Sequence, residues 1–210
     1  DSVKSRGLGD VYKRQEIVDA VTSAGGEAVL TDPDLPSGSD RIHQALEHID
    51  PDGAHQRIVN LQGDLPTLEP ALIQRVLEVL GDNDMATLVA EITEAGERDD
   101  PNVVKAIVSL QTATSGRALY FTRATAPAGE GPLYHHIGIY AYQRAALANF
   151  VSLPPSLLEQ RESLEQLRAL EAGMSIGVAC VDTVPIGVDT PHDLELANRH
   201  LAGHSSPKGN

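Results

Sequence analysis

A single cysteine, Cys180, serves the whole 210-residue chain, so no disulfide framework can hold it together. It lies in the apolar run Val178-Ala179-Cys180-Val181 and reads as a buried structural thiol in a reducing cytoplasm. Basic side chains are also scarce. Sixteen Lys and Arg face thirty Asp and Glu, for a formal net charge of −14. That balance excludes a nucleic-acid binder, whose phosphate contacts need clustered cations. It does not exclude a triphosphate, provided metal ions and a few placed cations neutralise it. No apolar run approaches the roughly 20 residues that span a bilayer, and no signal-peptide pattern occurs. Membrane insertion is not expected. There is no Gly-x-x-x-x-Gly-Lys-Ser/Thr, no Gly-x-Gly-x-x-Gly and no Cys-x-x-Cys, and no constellation for nucleophilic Ser or Cys catalysis. With 41% hydrophobic and 22% charged residues, the composition is that of an ordinary globular protein with room for one α/β domain or two small ones.

What is present is organised around Arg57-Ile58-Val59-Asn60-Leu61-Gln62-Gly63-Asp64-Leu65-Pro66. A short β-branched run reads as a buried strand; polarity then changes at once, and Pro66 ends any ladder. The carboxyl end of a central strand is where open α/β sheets bind ligands. There Asp64, beside a glycine that admits a phosphate, suits Mg²⁺. A plain turn at Gly63-Asp64 is the equal alternative.

Residues 1–15 lack helical and strand periodicity and carry Lys4, Arg6, Lys13 and Arg14 against Asp1 and Asp10. They read as a disordered or non-native leader. A helix is expected from Glu16, with Ile17, Val18 and Val21 on one face and Gly25-Gly26 as its end. A strand over 27–31, a loop, and a helix spaced by Ile42, Ala45, Leu46 and Ile49 follow. After the central strand 57–62 comes a helix marked by Leu72, Ile73, Val76, Leu77 and Leu80. Strands are expected over 85–92, 103–110, 117–121, 133–142 and 175–181, and a helix over 163–172. The final helix has Thr190 as N-cap and Pro191 at its first position, and the tail 202–210 is expected to fray. Alternating strands and helices indicate α/β, and the adjacent strands an antiparallel insertion.

Polar clusters fall at the ends of these elements. Ser37-Gly38-Ser39-Asp40-Arg41 could meet an anion or a base edge at a helix start, although a simple N-cap with a surface Arg is the favoured reading. Asp189 could share a metal with Asp64 or merely cap a helix. Adjacent His135 and His136 point to opposite faces of a regular strand and cannot ligate one ion. One of them, with Tyr140 on the face of His136, reads better as the wall of a polar pocket. Glu162, Glu165 and Gln166 fall on a helix, where such groups commonly form a solvated face.

Seven motifs occur in order: Ser37-Gly38-Ser39-Asp40-Arg41, Val59-Asn60-Leu61-Gln62-Gly63-Asp64, Pro101-Asn102-Val103-Val104-Lys105, Leu119-Tyr120-Phe121-Thr122-Arg123-Ala124-Thr125, His136-Ile137-Gly138-Ile139-Tyr140, Leu164-Glu165-Gln166-Leu167-Arg168 and Gly187-Val188-Asp189-Thr190-Pro191. Together, from about Glu16 to about Leu201, the chain resembles the 3-deoxy-manno-octulosonate (Kdo) cytidylyltransferases of lipopolysaccharide assembly. The resemblance implies a Rossmann-like nucleotidyltransferase fold, a three-layer α/β/α sandwich with a mixed sheet. The domain would span 16–201, with a small antiparallel dimerisation insertion around 85–150 that makes a homodimer. It implies transfer of CMP from CTP to Kdo with release of pyrophosphate. Asp64 and Asp189 would hold Mg²⁺ and, with Arg123, carry catalysis. Ser37, Gly38, Arg41 and Gln62 would bind the nucleotide, the first three facing cytosine. Gln62 would also help line the sugar-acid pocket with Arg123, His136, Tyr140, Glu165 and Gln166.

Two departures accompany the resemblance. Leu65 stands where the family usually has Glu, which is expected to alter the surroundings of Asp64 rather than ligation. The family's opening strand and its Pro-Ala-Arg-x-x-Ser-x-Arg-Leu-Pro-Gly-Lys phosphate loop have no counterpart, because residues 1–15 stand in their place. On that expectation the first strand or strands are missing and the chain by itself turns over slowly. Two alternatives remain: an acylneuraminate-type or other sugar cytidylyltransferase, and a non-catalytic fragment of such an enzyme.

Overall fold

The computed structural model describes residues 8–188 and 190–204, with side chains over 15–188 and 190–202. The chain forms two compact units, one up to Ala54 and one from His55 onward.

In the first unit, α1 (Leu8–Ser23) begins eight residues before the expected start at Glu16, so the second half of 1–15 is helical. Once a helix is nucleated, extension needs backbone bonds rather than apolar spacing. Its end is the expected glycine cap. Gly25 has φ 82°, Gly25 N–H donates to Thr22 O, and Gly26 N–H donates to Val21 O, the paired bonds of a Schellman turn. Residues 27–31 correct an expectation. They belong to no strand, because a strand needs a ladder partner and none is found among the described residues. Helix α2 (Gly38–Ile49) is capped by Ser37, whose Oγ accepts from Asp40 N at 3.2 Å.

The second unit holds a six-stranded mixed sheet. Its strands are β1 (Arg57–Asn60), β2 (Met85–Glu91), β3 (Lys105–Leu110), β4 (Ser115–Thr122), β5 (Tyr134–Gln143) and β6 (Ile176–Val181), in the order β1-β5-β2-β6-β4-β3. Only β2 and β6 run parallel. Strands β3 and β4 form an antiparallel hairpin, which continues the same sheet by pairing β4 with β6 and β3 with β5.

Helix α3 (Pro70–Leu80) presents Leu72, Val76 and Leu80 to Ala86, Leu88, Ala90, Ile137, Ile139, Ala141 and Ala179. The alternate residues of β5 turn to the opposite face, as the two-residue repeat requires. There His136, Tyr140, Tyr142 and Phe150 form a run of ring contacts with centroids 5.4, 6.1 and 6.2 Å apart. Phe150 belongs to α5 (Arg144–Ser152). Arg168 of α7 (Gln166–Glu171) lies 5.0 Å over its ring and forms a double hydrogen bond to Glu159 of α6 (Leu157–Glu162). The expected helix over 163–172 is thus shorter, preceded by a turn at Ser163. Helices α4 (Ala95–Asp99), α5 and α6 were not expected. The last helix, α8 (Pro191–His204), has Thr190 Oγ1 accepting from Asp193 N, the N-cap the sequence announces. Among the described residues no helix is long and apolar enough to cross a membrane.

Candidate active site

The site lies where one edge of β5 runs out of partners. Its other edge is paired with β2 over most of its length. The open edge is shared: β1 covers Tyr140–Gln143 and β3 covers Tyr134 and His135. Ile137, Gly138 and Ile139 lie between, with no ladder partner on that edge among the described residues. The chain leaving β1 turns away through Gln62, Asp64 and Leu65, and the chain entering β3 arrives through Asn102 and Val103. A cavity of about 650 Å³ opens among these segments, a volume suited to a small-molecule site.

From the floor of the cavity, β5 contributes His136, Gly138 and Tyr140. His136 Nε2 is 3.0 Å from Thr87 Oγ1, and the ring meets Phe121 edge-on at 4.9 Å. Burial, assisted by His135 next to it, lowers its pKa from 6.5 to about 3. The imidazole is therefore neutral, a hydrogen-bonding group rather than a charge or a strong base. Tyr140 has its hydroxyl pushed well above 10 by burial, and then by Tyr142 and Glu165, so it keeps its proton to donate. His135 also reaches the cavity. Its pKa is lowered by burial, an effect that the Glu97 carboxylate 3.9 Å away opposes.

Another part of the lining is the turn between α6 and α7. Ser163 sits in the left-handed region at φ 55°, a conformation non-glycine residues adopt at a cost and chiefly where the surroundings enforce it. Glu162 supplies the enforcement. Its carboxylate accepts from Tyr120 OH at 3.3 Å, Thr122 Oγ1 at 3.0 Å and Arg123 N at 3.0 Å. The turn delivers Ser163, Leu164, Glu165 and Gln166 to the cavity. Gln166 is only 5% exposed, yet its Nε2 has no hydrogen-bond partner. A buried donor left unmade is costly, which marks this wall as shaped for a polar ligand.

Asp64 borders the cavity, and its carboxylate makes no hydrogen bond to a described residue. Its backbone carbonyl accepts from Val188 N at 2.9 Å. Thr67 Oγ1 accepts from Ile186 N at 2.8 Å, so the 183–188 segment is stitched to the turn that follows β1. Asp189, the next residue in the chain after Val188, lies outside the described residues. Among the described residues no group of three or more His, Cys, Asp or Glu side chains forms a metal cage. The open carboxylate of Asp64 nonetheless fits Mg²⁺, which usually binds one or two carboxylates together with substrate phosphates and water.

Six of the residues singled out from the sequence thus meet at one cavity: Gln62, Asp64, His136, Tyr140, Glu165 and Gln166. Arg123 is not in its lining. Its Nε donates to Glu162 O and its Nη1 to Pro101 O, both at 3.0 Å, tying together two segments that are. Ser37, Gly38 and Arg41 belong to the first unit. There Ser37 caps α2, and the Arg41 guanidinium holds the 31–35 loop through Asp32 O, Pro33 O and Leu35 O. Sequence reasoning missed Asn102 and Val103 as lining residues, although both fall within a quoted motif. It also missed Ser163, which has no distinguishing local signal.

The sheet and its polar cavity have the character of a nucleotidyltransferase, and the family model described as Cytidylyltransferase matches residues 13–176. Among curated relatives, the 3-deoxy-manno-octulosonate cytidylyltransferase of Parvibaculum lavamentivorans is 66% identical over 193 residues, covering 91% of this chain and 75% of its own. That of Rhodospirillum centenum is 65% identical over 188 residues, covering 88% and 73%. A solved structure of CMP:2-keto-3-deoxy-manno-octonic acid synthetase complexed with CTP superposes with a TM-score of 0.81 at 35% identity, covering 90% and 78%. The chain belongs to the 3-deoxy-manno-octulosonate cytidylyltransferase family.

Proposed function

We infer that the chain transfers CMP from CTP to 3-deoxy-manno-octulosonate and releases pyrophosphate. The observation that carries this reading is the cavity at the open edge of β5, where the carboxylates of Asp64 and Glu165 share one lining with the hydrogen-bonding side chains of His136, Tyr140 and Gln166. The names and identities of the relatives favour the octulosonate over an acylneuraminate acceptor.

In this reading Asp64 and Asp189 hold Mg²⁺, which supplies charge neutralisation at the phosphates when bound. His136, Tyr140, Glu165 and Gln166 orient the sugar acid. Neutral His136 accepts from a hydroxyl and protonated Tyr140 donates to an oxygen, so the acceptor is recognised by complementary hydrogen bonds. Arg123 keeps free donors on its guanidinium after the two carbonyls are served, and a carboxylate is their natural partner. Gln62 stands at the exit of β1 between nucleotide and sugar, while Ser37, Gly38 and Arg41 serve the cytosine. Rate enhancement comes from aligning the anomeric hydroxyl with the α-phosphate rather than from a covalent intermediate.

The same reading places the reaction in the cytoplasm, where CTP is available, as a step toward lipopolysaccharide. It also predicts a homodimer through 85–150, where Leu110 and Leu119 are 38% and 48% exposed on β3 and β4. A monomeric mass in light scattering would count against the dimer. For the activity, pyrophosphate release is measured with CTP, Mg²⁺ and either sugar acid, in the wild type and in Asp64→Asn. Turnover on Kdo that falls at least ~100-fold in the folded variant is expected. Preference for acylneuraminate, or near-normal turnover in Asp64→Asn, would overturn the assignment.

A further inference from the structure

The run Met85-Ala86-Thr87-Leu88-Val89-Ala90 is buried throughout, and Thr87 is the one polar side chain in it, fully inaccessible. A buried hydroxyl is costly unless hydrogen-bonded. Valine would fill the same space without that cost, so the oxygen is there for a reason.

Its surroundings supply one. The β2–β5 register slips between Thr87, opposite Tyr140, and Leu88, opposite Ile137. Gly138 and Ile139 are left without partners on β2, a bulge of the kind found beside functional sites. The slip brings two backbone carbonyls to Thr87 Oγ1, Ile137 O at 3.0 Å and Ile139 O at 2.8 Å, and the His136 Nε2 at 3.0 Å.

A hydroxyl has one hydrogen, and carbonyl oxygens can only accept. The hydrogen therefore goes to the carbonyls, and the oxygen meets His136 with a lone pair. The ring nitrogen facing it must be the donor. In a neutral imidazole the other nitrogen is then an acceptor. Nδ1 makes no hydrogen bond to a described residue, and His136 lines the cavity.

We propose that Thr87 is a positioning residue that holds His136 in its Nε2–H form, so that Nδ1 is presented to the cavity as the acceptor for a hydroxyl of the sugar-acid substrate. The substrate part rests on the function proposed above, whereas the tautomer part does not. A residue that never touches substrate thereby sets the polarity of one that does. Without the Thr87 hydroxyl the imidazole is free to take the Nδ1–H form and offer a donor where the ligand needs an acceptor.

The test is ¹⁵N long-range correlation NMR of His136 in the ligand-free protein, paired with steady-state kinetics. The wild type should show the Nε2–H form. Thr87→Val should show a mixture or the Nδ1–H form, with KM for the sugar acid raised ~3- to 10-fold and KM for CTP unchanged, as for one lost oriented hydrogen bond. Thr87→Ser should restore both. An Nδ1–H wild type, or a folded Thr87→Val that keeps the Nε2–H form, would overturn the proposal. So would a changed tautomer with an unmoved sugar-acid KM, since that is what a purely structural Thr87 gives. If Thr87→Val does not fold, the wild-type spectrum and Thr87→Ser decide: an Nε2–H form in both supports the proposal, and any other form overturns it. If the wild type uses no sugar acid at all, the function reading fails while the tautomer measurement still stands.

Discussion

Acidification from pH 7.5 to pH 5 should destabilise the fold through His136 by up to about 2 kcal/mol. The unfolded chain carries an ordinary histidine that takes up a proton as pH falls through 6.5. The buried imidazole resists protonation until about 3. Between those values the unfolded state binds more protons than the native one, so stability is fully present above 6.5 and drains away as pH falls toward 3. At pH 5 the linkage relation gives roughly 2 kcal/mol, and near pH 3 roughly 4 kcal/mol. These are upper figures, because the ring borders a cavity that water can enter. His135, also lowered, acts in the same direction, while Glu159, held down by Arg168 against the opposing effect of burial, adds a loss shared by any His136 variant. The assay is urea unfolding followed by circular dichroism at pH 7.5 and 5.0, for the wild type and His136→Gln. The glutamine keeps a donor for Thr87 but does not titrate. The pH-dependent loss should be smaller by about 2 kcal/mol in the variant. Equal losses in the two proteins would refute the assignment of a neutral, buried His136.

Glycines give three contrasting expectations. A Cβ on Gly177 would lie 2.5 Å from Val79 O and 2.7 Å from Asn83 Nδ2, and one on Gly116 would lie 2.1 Å from Ser109 O. Gly177→Ala and Gly116→Ala should each cost about 1–3 kcal/mol or more in chemical denaturation, because backbone cannot step aside. At Gly138 a Cβ meets nothing within 4 Å; Gly138→Ala should leave stability within about 0.5 kcal/mol. Because the residue lines the cavity, a series from Ala to Leu should raise the sugar-acid KM with size, and a flat series would show that the ligand does not approach it. Glu162→Gln removes a carboxylate that accepts three hydrogen bonds. It should lower stability by about 1–3 kcal/mol and raise the sugar-acid KM by loosening the Ser163 turn. A thermal midpoint equal to the wild type would show that the turn is held by other means.

Most elements were legible where periodicity and caps are local. The β-branched run at Ile58-Val59, the spacing of Leu72, Val76 and Leu80, and Thr190-Pro191 all announce what forms there. Helix α6 too carries a local signal, the Ser156–Glu159 capping box. Residues 27–31 failed for a physical reason: strand propensity describes one chain segment, while a strand is a pairing of two. The site divided in the same way. Alternation along 136–140 puts His136 and Tyr140 on one face from sequence alone, but nothing local says that Arg123 spends two of its donors on Pro101 O and Glu162 O.

By itself the sequence determined which side chains are available and which share a face: an open-ended Asp64 after an apolar strand, two aromatic acceptor–donor groups two residues either side of Gly138, and an acid–amide pair at a helix start. Only the tertiary structure decided that these meet. Their convergence depends on β1 and β3 leaving three residues of β5 uncovered, and on a register slip that turns two carbonyls toward Thr87. Local patterns follow from the geometry of a single backbone. Convergence follows from hydrogen-bond ladders between segments about 30 to 85 residues apart, and no short window of sequence contains both partners.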